Sequence, residues 1–417
     1  MLHHLQAALG LAVIIAVAWA LSEDRRAFPV RTVLSGLALQ AGLALLLLKV
    51  PPARAALFSL NGVVDALTQA TKAGTAFVFG YVGGGTPPFA VANAAGLTSF
   101  AFQILPLVIV ISALSAALWH WRILPAIVHG FAWALKKLMG VGGAVGLGAA
   151  ATIFLGMIEA PLLIRPYLAK LSRSEMFVLF TTGLATVAGT VFVLYATILQ
   201  PVVPGALGHI LVASILSLPA AILIARIMIP GEESAAAADA PPGFAYHSTM
   251  DAIARGTEEG LKIWLSVVAM LLVIVALVAL TDIILHQFPA VAGQPLTVER
   301  IFGWIFAPMV WLLGVPWHEA GAAGALMGDK TVLNEFVAYL DLAALPPGAL
   351  DARTRLIMLY ALCGFANPGS VGIMIASISA MVPERREEIV SLVVRALLSG
   401  TMASAMTGAM IGLLPVN

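Results

Sequence analysis

Two carboxylates stand where so apolar a chain has little reason to place them, Glu159 in GMIEAPLLIRPYL and Glu335 in TVLNEFVAYL. A carboxylate at membrane depth costs about 2.5 to 3.5 kcal/mol even on the lenient insertion scale, so one that is kept there points to function. Such a group can grip hydroxyls, carry a proton, or serve as one of an acid and base pair. Each sits at a break in an apolar segment, and the matching contexts suggest one site. The other chemical signals are weaker. Cys363 is the one thiol and offers neither a disulfide nor a metal spacing. His318 and Glu319 form half of a zinc-protease pattern, but no second His follows at the needed spacing. The glycines of GGAVGLG at 142–148 follow no strand, so helix packing explains them better than a phosphate loop.

The elements that position these groups follow from composition. Of 417 residues, 61% are hydrophobic and 10% charged, against about 25% charged in soluble domains. Runs near 5–21, 29–48, 100–119, 176–199, 206–228, 264–285, 355–380 and 389–413 are each apolar over a length that spans a hydrocarbon core of about 30 Å. The reading is an all-α polytopic membrane protein with eight transmembrane helices. A net charge of +1 and no basic run give no sign of nucleic-acid binding. Placing both termini outside puts most basic residues inside, among them Arg25, Arg26, Lys136, Lys137, Arg173, Arg226, Arg385 and Arg395. Arg25 and Arg26 follow the first apolar run and no Lys or Arg precedes it, which fits a retained helix rather than a signal peptide.

Four stretches follow in order. Residues 1–98 hold two plain spans and an amphipathic piece, PPARAALFSLNGVVDALTQATKAG, ended by the Gly and Pro of FVFGYVGGGTPPF. Residues 99–228 hold the third span, a surface helix RILPAIVHGFAWALKKL, a re-entrant hairpin over 141–171 broken by Gly156, Pro161 and Pro166, an interrupted span at TGLATVAGTV, and the fifth span. Residues 229–247 read as an inside linker, PGEESAAAADAPPGFAY. Residues 248–417 begin with a surface helix TMDAIARGTEEGLK and the sixth span, then carry a second hairpin over about 302–345, a span interrupted at CGFANPGSVGI, and the last span. Hairpin plus broken helix thus occurs twice. Such an internal repeat of interrupted segments points to a transport site near the bilayer midplane.

At these residues the chain resembles the concentrative nucleoside transporter family over nearly its whole length. The shared motifs are FVFGY at 77–81, EAPLLIRPYL at 159–168 followed by SRSE, GLATVAG at 183–189, GVPW at 314–317, NEFVAYL at 334–340, and GFAN at 364–367 with Ser370. The resemblance implies a homotrimeric symporter of the bacterial-type inner membrane, importing nucleosides with a cation by alternating access and needing no cofactor. It implies that Glu335, Asn367 and Ser370 bind ribose, that Phe365 lies beside the substrate, and that Gly156, Met157, Ile158, Glu159 and Val191 form the base side. The family's tip reads Gly-Gln-Thr-Glu, whereas this one reads Gly156-Met157-Ile158-Glu159. Met157 and Ile158 cannot hydrogen-bond a base edge, so a looser or shifted base preference is expected.

The ion site also departs from the family. Sodium-coupled relatives use an Asn amide and a Ser hydroxyl where this chain has Thr152 and Thr186, with Leu155 and Val187 offering carbonyls. An all-oxygen set still suits a hard cation, so sodium at Thr152, Leu155, Thr186 and Val187 stays open. The lost amide oxygen, and a Glu159 able to take a proton, favour H+ over Na+. An intramembrane enzyme with Glu159 and Glu335 as acid and base stays open from the residues alone, and a channel less so. Arg165 fits headgroup pairing or a helix end better than substrate contact.

Overall fold

In a computed structural model that describes residues 2–91, 97–231 and 246–414, the chain is helical almost throughout, and the described residues contain no β-strand. The linker expected at 229–247 lies mostly outside the described residues. Seven helical stretches are long and apolar enough to cross a membrane among the described residues. They match the expected spans except 355–380, which is two short helices, α17 (Ala352–Leu362) and α18 (Pro368–Met381). The cause is local. Asn367 caps α18 by accepting from the Ser370 amide at 2.9 Å, and Pro368 at the first helical position has no N–H to continue α17.

The opening helices α1 (Leu2–Ala20) and α2 (Val30–Lys49) are followed by α3 (Pro51–Ser59) and α4 (Asn61–Phe79). Gly80, at φ +60, ends α4 within the expected Gly-rich breaker. α5 (Leu107–His120) continues a π-helical turn over Phe100–Ile104, and α6 (Ile123–Met139) carries Lys136 and Lys137 in its last turn. Then come α7 (Gly143–Leu155), the short α8 (Glu159–Leu163) and α9 (Arg165–Leu168), α10 (Arg173–Ala185), α11 (Gly189–Leu199) and α12 (Ala206–Met228). The apolar window of α12 is 94% buried. Around it pack α2, α10 and α19 (Arg386–Leu413).

Two expectations change. TMDAIARGTEEGLK is not a separate surface helix, because α13 (Thr249–Leu285) runs through it and the sixth span as one helix of 37 residues. At 1.5 Å per residue it measures about 55 Å and outreaches the bilayer core. Gly256 and Gly260 do not break it; they let α5 approach. A Cβ at either would lie 2.6 Å from α5 backbone, at the Ser112 oxygen or the Ile109 Cα. Nor is 302–345 a single hairpin. α14 (Val298–Leu312) is a helix of its own, closed by Gly314 at φ +102 and Pro316, and it lies along α15 (Ala320–Val332). A Cβ on Gly303 or Gly324 would meet the facing backbone at 2.7 Å. The hairpin proper is α15 with α16 (Glu335–Ala344).

One end of the bundle is tied by charge. Glu23, in the turn after α1, accepts from Arg173 at 2.8 and 3.2 Å and is also bound by Arg395. Arg385 pairs with Glu388 at 2.8 Å and donates to the Leu171 carbonyl at 2.6 Å, holding the chain between α9 and α10. The Arg173 hydrogen bond, with the charges of Arg173 and Arg395, holds the Glu23 carboxyl below its ordinary 4.5, against the upward push of partial burial. A depressed folded-state value means stability that is present above 4.5 and lost as pH falls through the lower folded value. Both partners are about a third exposed, so the effect is below about 1 kcal/mol. Wild type should therefore melt slightly above Glu23→Gln at pH 7, and the two melting curves should converge as pH falls through the lowered folded-state value. A gap that stays constant down the pH series would refute this account.

Candidate functional site

The two interrupted helices meet at their breaks. α10 stops at Ala185 and α11 restarts at Gly189, while α17 stops at Leu362 and α18 restarts at Pro368. The Phe365 amide donates to the Thr186 carbonyl at 3.3 Å, joining one break to the other. Gly364 makes this approach possible, since a Cβ there would stand 3.0 Å from the Ala185 oxygen.

Glu335 opens α16 and is 4% exposed. The Tyr195 hydroxyl of α11 donates to its Oε1 at 2.7 Å, and the Asn367 amide donates to its Oε2 at 3.3 Å. The orientation of Asn367 follows from its other bond, because its Oδ1 caps Ser370 and only its NH2 is left to face the glutamate. Asn334 in turn caps α16 by accepting from Val337 at 2.9 Å. One carboxylate is thus held by donors from two other helices, at the N-termini of α16 and α18, where negative charge is favoured. Beside it, Lys330 of α15 is wholly buried and donates to the Ala361 carbonyl at 3.2 Å and to Ser404. Its positive charge acts on Glu335.

The first tip is built differently. Gly156 ends α7 at φ +93 and ψ −176, a conformation nearly confined to glycine, and a Cβ there would lie 2.9 Å from the Ala188 Cβ. Gly156→Ala should cost about 1–3 kcal/mol in stability. Thermal unfolding of the solubilised protein measures it, and an unchanged midpoint would show the tip to be slack. Met157 of this tip and Met374 of α18 both close on Gly183 of α10, where a Cβ would lie 3.1 Å from each. Glu159 is half-buried at the start of α8, Ile158 is also half-buried, and Val191 is buried in the first turn of α11. The charge that acts on Glu159 is Glu259 of α13, not Glu335. The two glutamates therefore have separate electrostatic surroundings.

Thr152 and Thr186 are buried side by side. The Thr186 hydroxyl donates to the Thr182 carbonyl at 2.9 Å and lies 3.5 Å from the Thr152 carbonyl, while the Thr152 hydroxyl donates to the Ala149 carbonyl at 2.7 Å. Both hydroxyl oxygens keep lone pairs, so the pair offers neutral oxygen ligands. Leu155 ends α7 and Val187 lies in the break beside them. Among the described residues no cluster of three or more His, Cys, Asp or Glu side chains is arranged to hold a metal ion.

Sequence reasoning overlooked Tyr195, although a signal was there. It is the one hydroxyl-bearing aromatic in the apolar GTVFVLYATIL, and a buried Tyr needs a partner. Lys330 was visible as a basic residue near the tip, but not which group it served.

Buried polar groups held at helix breaks inside a bundle of apolar helices define an integral membrane protein of the transporter class. The comparisons agree. Three family descriptions match in turn, "Na+ dependent nucleoside transporter N-terminus" over residues 9–82, "Nucleoside recognition" over 101–202, and "Na+ dependent nucleoside transporter C-terminus" over 209–412. The chain is 36% identical to the uncharacterized transporter YutK of Bacillus subtilis, covering 97% of this chain and 98% of that one. It is 34% identical to the nucleoside permease NupC of Helicobacter pylori, over 97% and 96%. Among solved structures, CNTnw in an inward-facing substrate-bound state matches with a TM-score of 0.89 at 35% identity, over 98% of this chain and 97% of that one. The chain belongs to the Na+-dependent, or concentrative, nucleoside transporter family. Its relatives are transporters, which removes the acid and base enzyme reading.

Proposed function

We infer that this protein imports nucleosides by symport with a cation through alternating access. The observation that carries the reading is Glu335 held between Tyr195 and Asn367. An ionised carboxylate has about four lone-pair sites. Two are taken by these donors, which leaves one on each oxygen for a pair of vicinal hydroxyls, the feature that ribose presents. Ser370 and Phe365 complete the ribose side. Gly156, Met157, Ile158, Glu159 and Val191 form the base side, where Met157 and Ile158 relax base choice. The coupling ion is H+ in preference to Na+, because Thr152 and Thr186 supply hydroxyls but no amide oxygen and Glu159 is able to carry a proton. Sodium at Thr152, Thr186 and the Leu155 and Val187 carbonyls is the second reading, favoured by the family's Na+-dependent description.

In the proposed arrangement α17 and α18 together make the eighth crossing. The helix pair α7 with α8 and α9, and the pair α15 with α16, are re-entrant hairpins, and both termini lie outside a bacterial-type inner membrane. The hairpins and broken helices move against a scaffold that includes α1, α2, α5 and α13. The assembly is a homotrimer, and the apolar window of α13, 6% buried, faces lipid and neighbouring copies. Uptake of labelled nucleosides into proteoliposomes, with sodium and proton gradients imposed separately, tests this. Accumulation driven by the proton gradient is expected. Accumulation that follows sodium at fixed pH would overturn the ion, and no uphill uptake under either gradient would overturn the symport.

A further inference from the structure

The break after α17 orphans carbonyls, because the final turn of a helix has no later amides of its own to bond. In a continuing helix the Leu359 oxygen would accept from the Cys363 amide, and the Ala361 oxygen from the Phe365 amide, one turn further on. Both amides are spent elsewhere. That of Cys363 donates to the Tyr360 carbonyl at 3.3 Å, and that of Phe365 crosses to the Thr186 carbonyl at 3.3 Å. Two side chains take their places. The Tyr339 hydroxyl donates to the Leu359 carbonyl at 3.0 Å, and Lys330 donates to the Ala361 carbonyl at 3.2 Å.

These donors come from the two arms of the second hairpin, Lys330 from α15 and Tyr339 from α16. A cation suits the negative end of α17, but Tyr339 is the more telling of the two. It is wholly buried, and it follows Glu335 by one turn on the same face of α16. Its ring centroid lies 5.1 Å from that of Tyr195, whose hydroxyl donates to Glu335. One side chain therefore touches both the helix end that leads to Asn367 and the ring that positions Glu335.

We propose that Tyr339 is a positioning residue of the cargo site, which by capping α17 holds Glu335 of α16 and Asn367 of α18 in one frame across the break. This rests on the reading given above, that Glu335 and Asn367 bind ribose. Tyr339 makes no bond to the cargo, since it is buried and its one hydroxyl hydrogen goes to Leu359. Without that hydroxyl the Leu359 carbonyl is left buried and without this donor, and α16 loses its hydrogen bond to the end of α17. Glu335 is then free to shift against the Asn367 amide, 3.3 Å away. Vicinal hydroxyls need both carboxylate oxygens at once, and a hydrogen bond weakens steeply as its angle closes, so the site is sensitive to a small shift.

Equilibrium binding to the purified full chain tests this with labelled uridine and adenosine, each beside its deoxyribose analogue. Wild type should bind at least one of the two about 10-fold tighter than its analogue, the worth of one bond from a hydroxyl to a carboxylate. Tyr339→Phe keeps the ring and removes the oxygen, and that ratio should fall by about 3-fold or more. A ratio of dissociation constants does not depend on how much protein is folded, so a purely structural loss leaves it unmoved, and a weakly stable variant is read at low temperature. Tyr360→Phe is the control. Its hydroxyl, at the same end of α17, lies 3.1 Å from His209 Nδ1 of α12 rather than bonding to the hairpin, so this variant should keep the wild-type ratio. An unchanged ratio in Tyr339→Phe, an equal fall in Tyr360→Phe, or a Tyr339→Phe that folds at no temperature would each overturn the proposal. A wild type that binds each nucleoside and its analogue alike, or binds none of them, overturns the ribose reading itself, so the two failures are told apart.

Discussion

Glu335→Gln is expected to weaken nucleoside uptake by about 10- to 100-fold, read mainly as a higher half-saturation concentration. A hydrogen bond to a charged group is worth about 1.5 to 3 kcal/mol, and each 1.36 kcal/mol is a factor of about 10. The isostere keeps the volume but not the acceptors. If the glutamine oxygen takes Tyr195, its NH2 faces the Asn367 NH2, and Asn367 cannot turn over without breaking its cap on Ser370. If it turns the other way, the Tyr195 hydroxyl loses its acceptor. Either way one of the two lone pairs left for the cargo hydroxyls disappears. Tyr195→Phe makes the companion variant: it removes a positioning bond while leaving the charge, so its effect should be the smaller. Uptake kinetics for Glu335→Gln that match wild type would end the ribose reading.

Lys330→Met should destabilise the folded protein by about 3 to 5 kcal/mol, the range for removing one partner of a buried charge pair. Its ammonium is fully buried, satisfies the Ala361 carbonyl and Ser404, and attracts Glu335. A methionine fills similar space but leaves Glu335 without its compensating charge and two acceptors without a donor. If the loss arises from that charge, the double variant Lys330→Met with Glu335→Gln should recover at least about 1 kcal/mol relative to the sum of the singles. Denaturation of all four proteins in detergent closes the cycle. Strict additivity would mean that Lys330 acts through packing and the Ser404 bond alone.

The pair of carboxylates that the sequence presents as equivalents is not equivalent in space. Their shared punctuation, an acid beside a helix break, is a local property and was legible. Their surroundings are not local. Glu335 is held by residues 140 and 32 positions away in sequence, whereas Glu159 answers to Glu259 on α13. The same limit explains two errors in the elements. TMDAIARGTEEGLK read as a surface helix apart from the sixth span, but it is the start of α13, and its Gly256 and Gly260 serve a close crossing with α5. The apolar run before GVPW read as the first arm of a hairpin, but α14 is set apart by Gly314 and packs along α15 through Gly303 and Gly324.

By itself the sequence determined that this is a helical membrane protein with two sets of broken segments, and through its motifs it gave the family. Hydrophobic length, Gly and Pro placement and capping residues such as Asn334 and Asn367 act over a few residues, so one chain suffices to read them. Only the tertiary structure decided which polar groups meet: Glu335 with Tyr195 and Asn367, Lys330 with Ser404, and Glu23 with Arg173 and Arg395. In an apolar interior each buried polar group must find a partner or change its charge state. Which partner it finds is set by how the helices cross, and helix crossing depends on contacts between residues far apart in the chain.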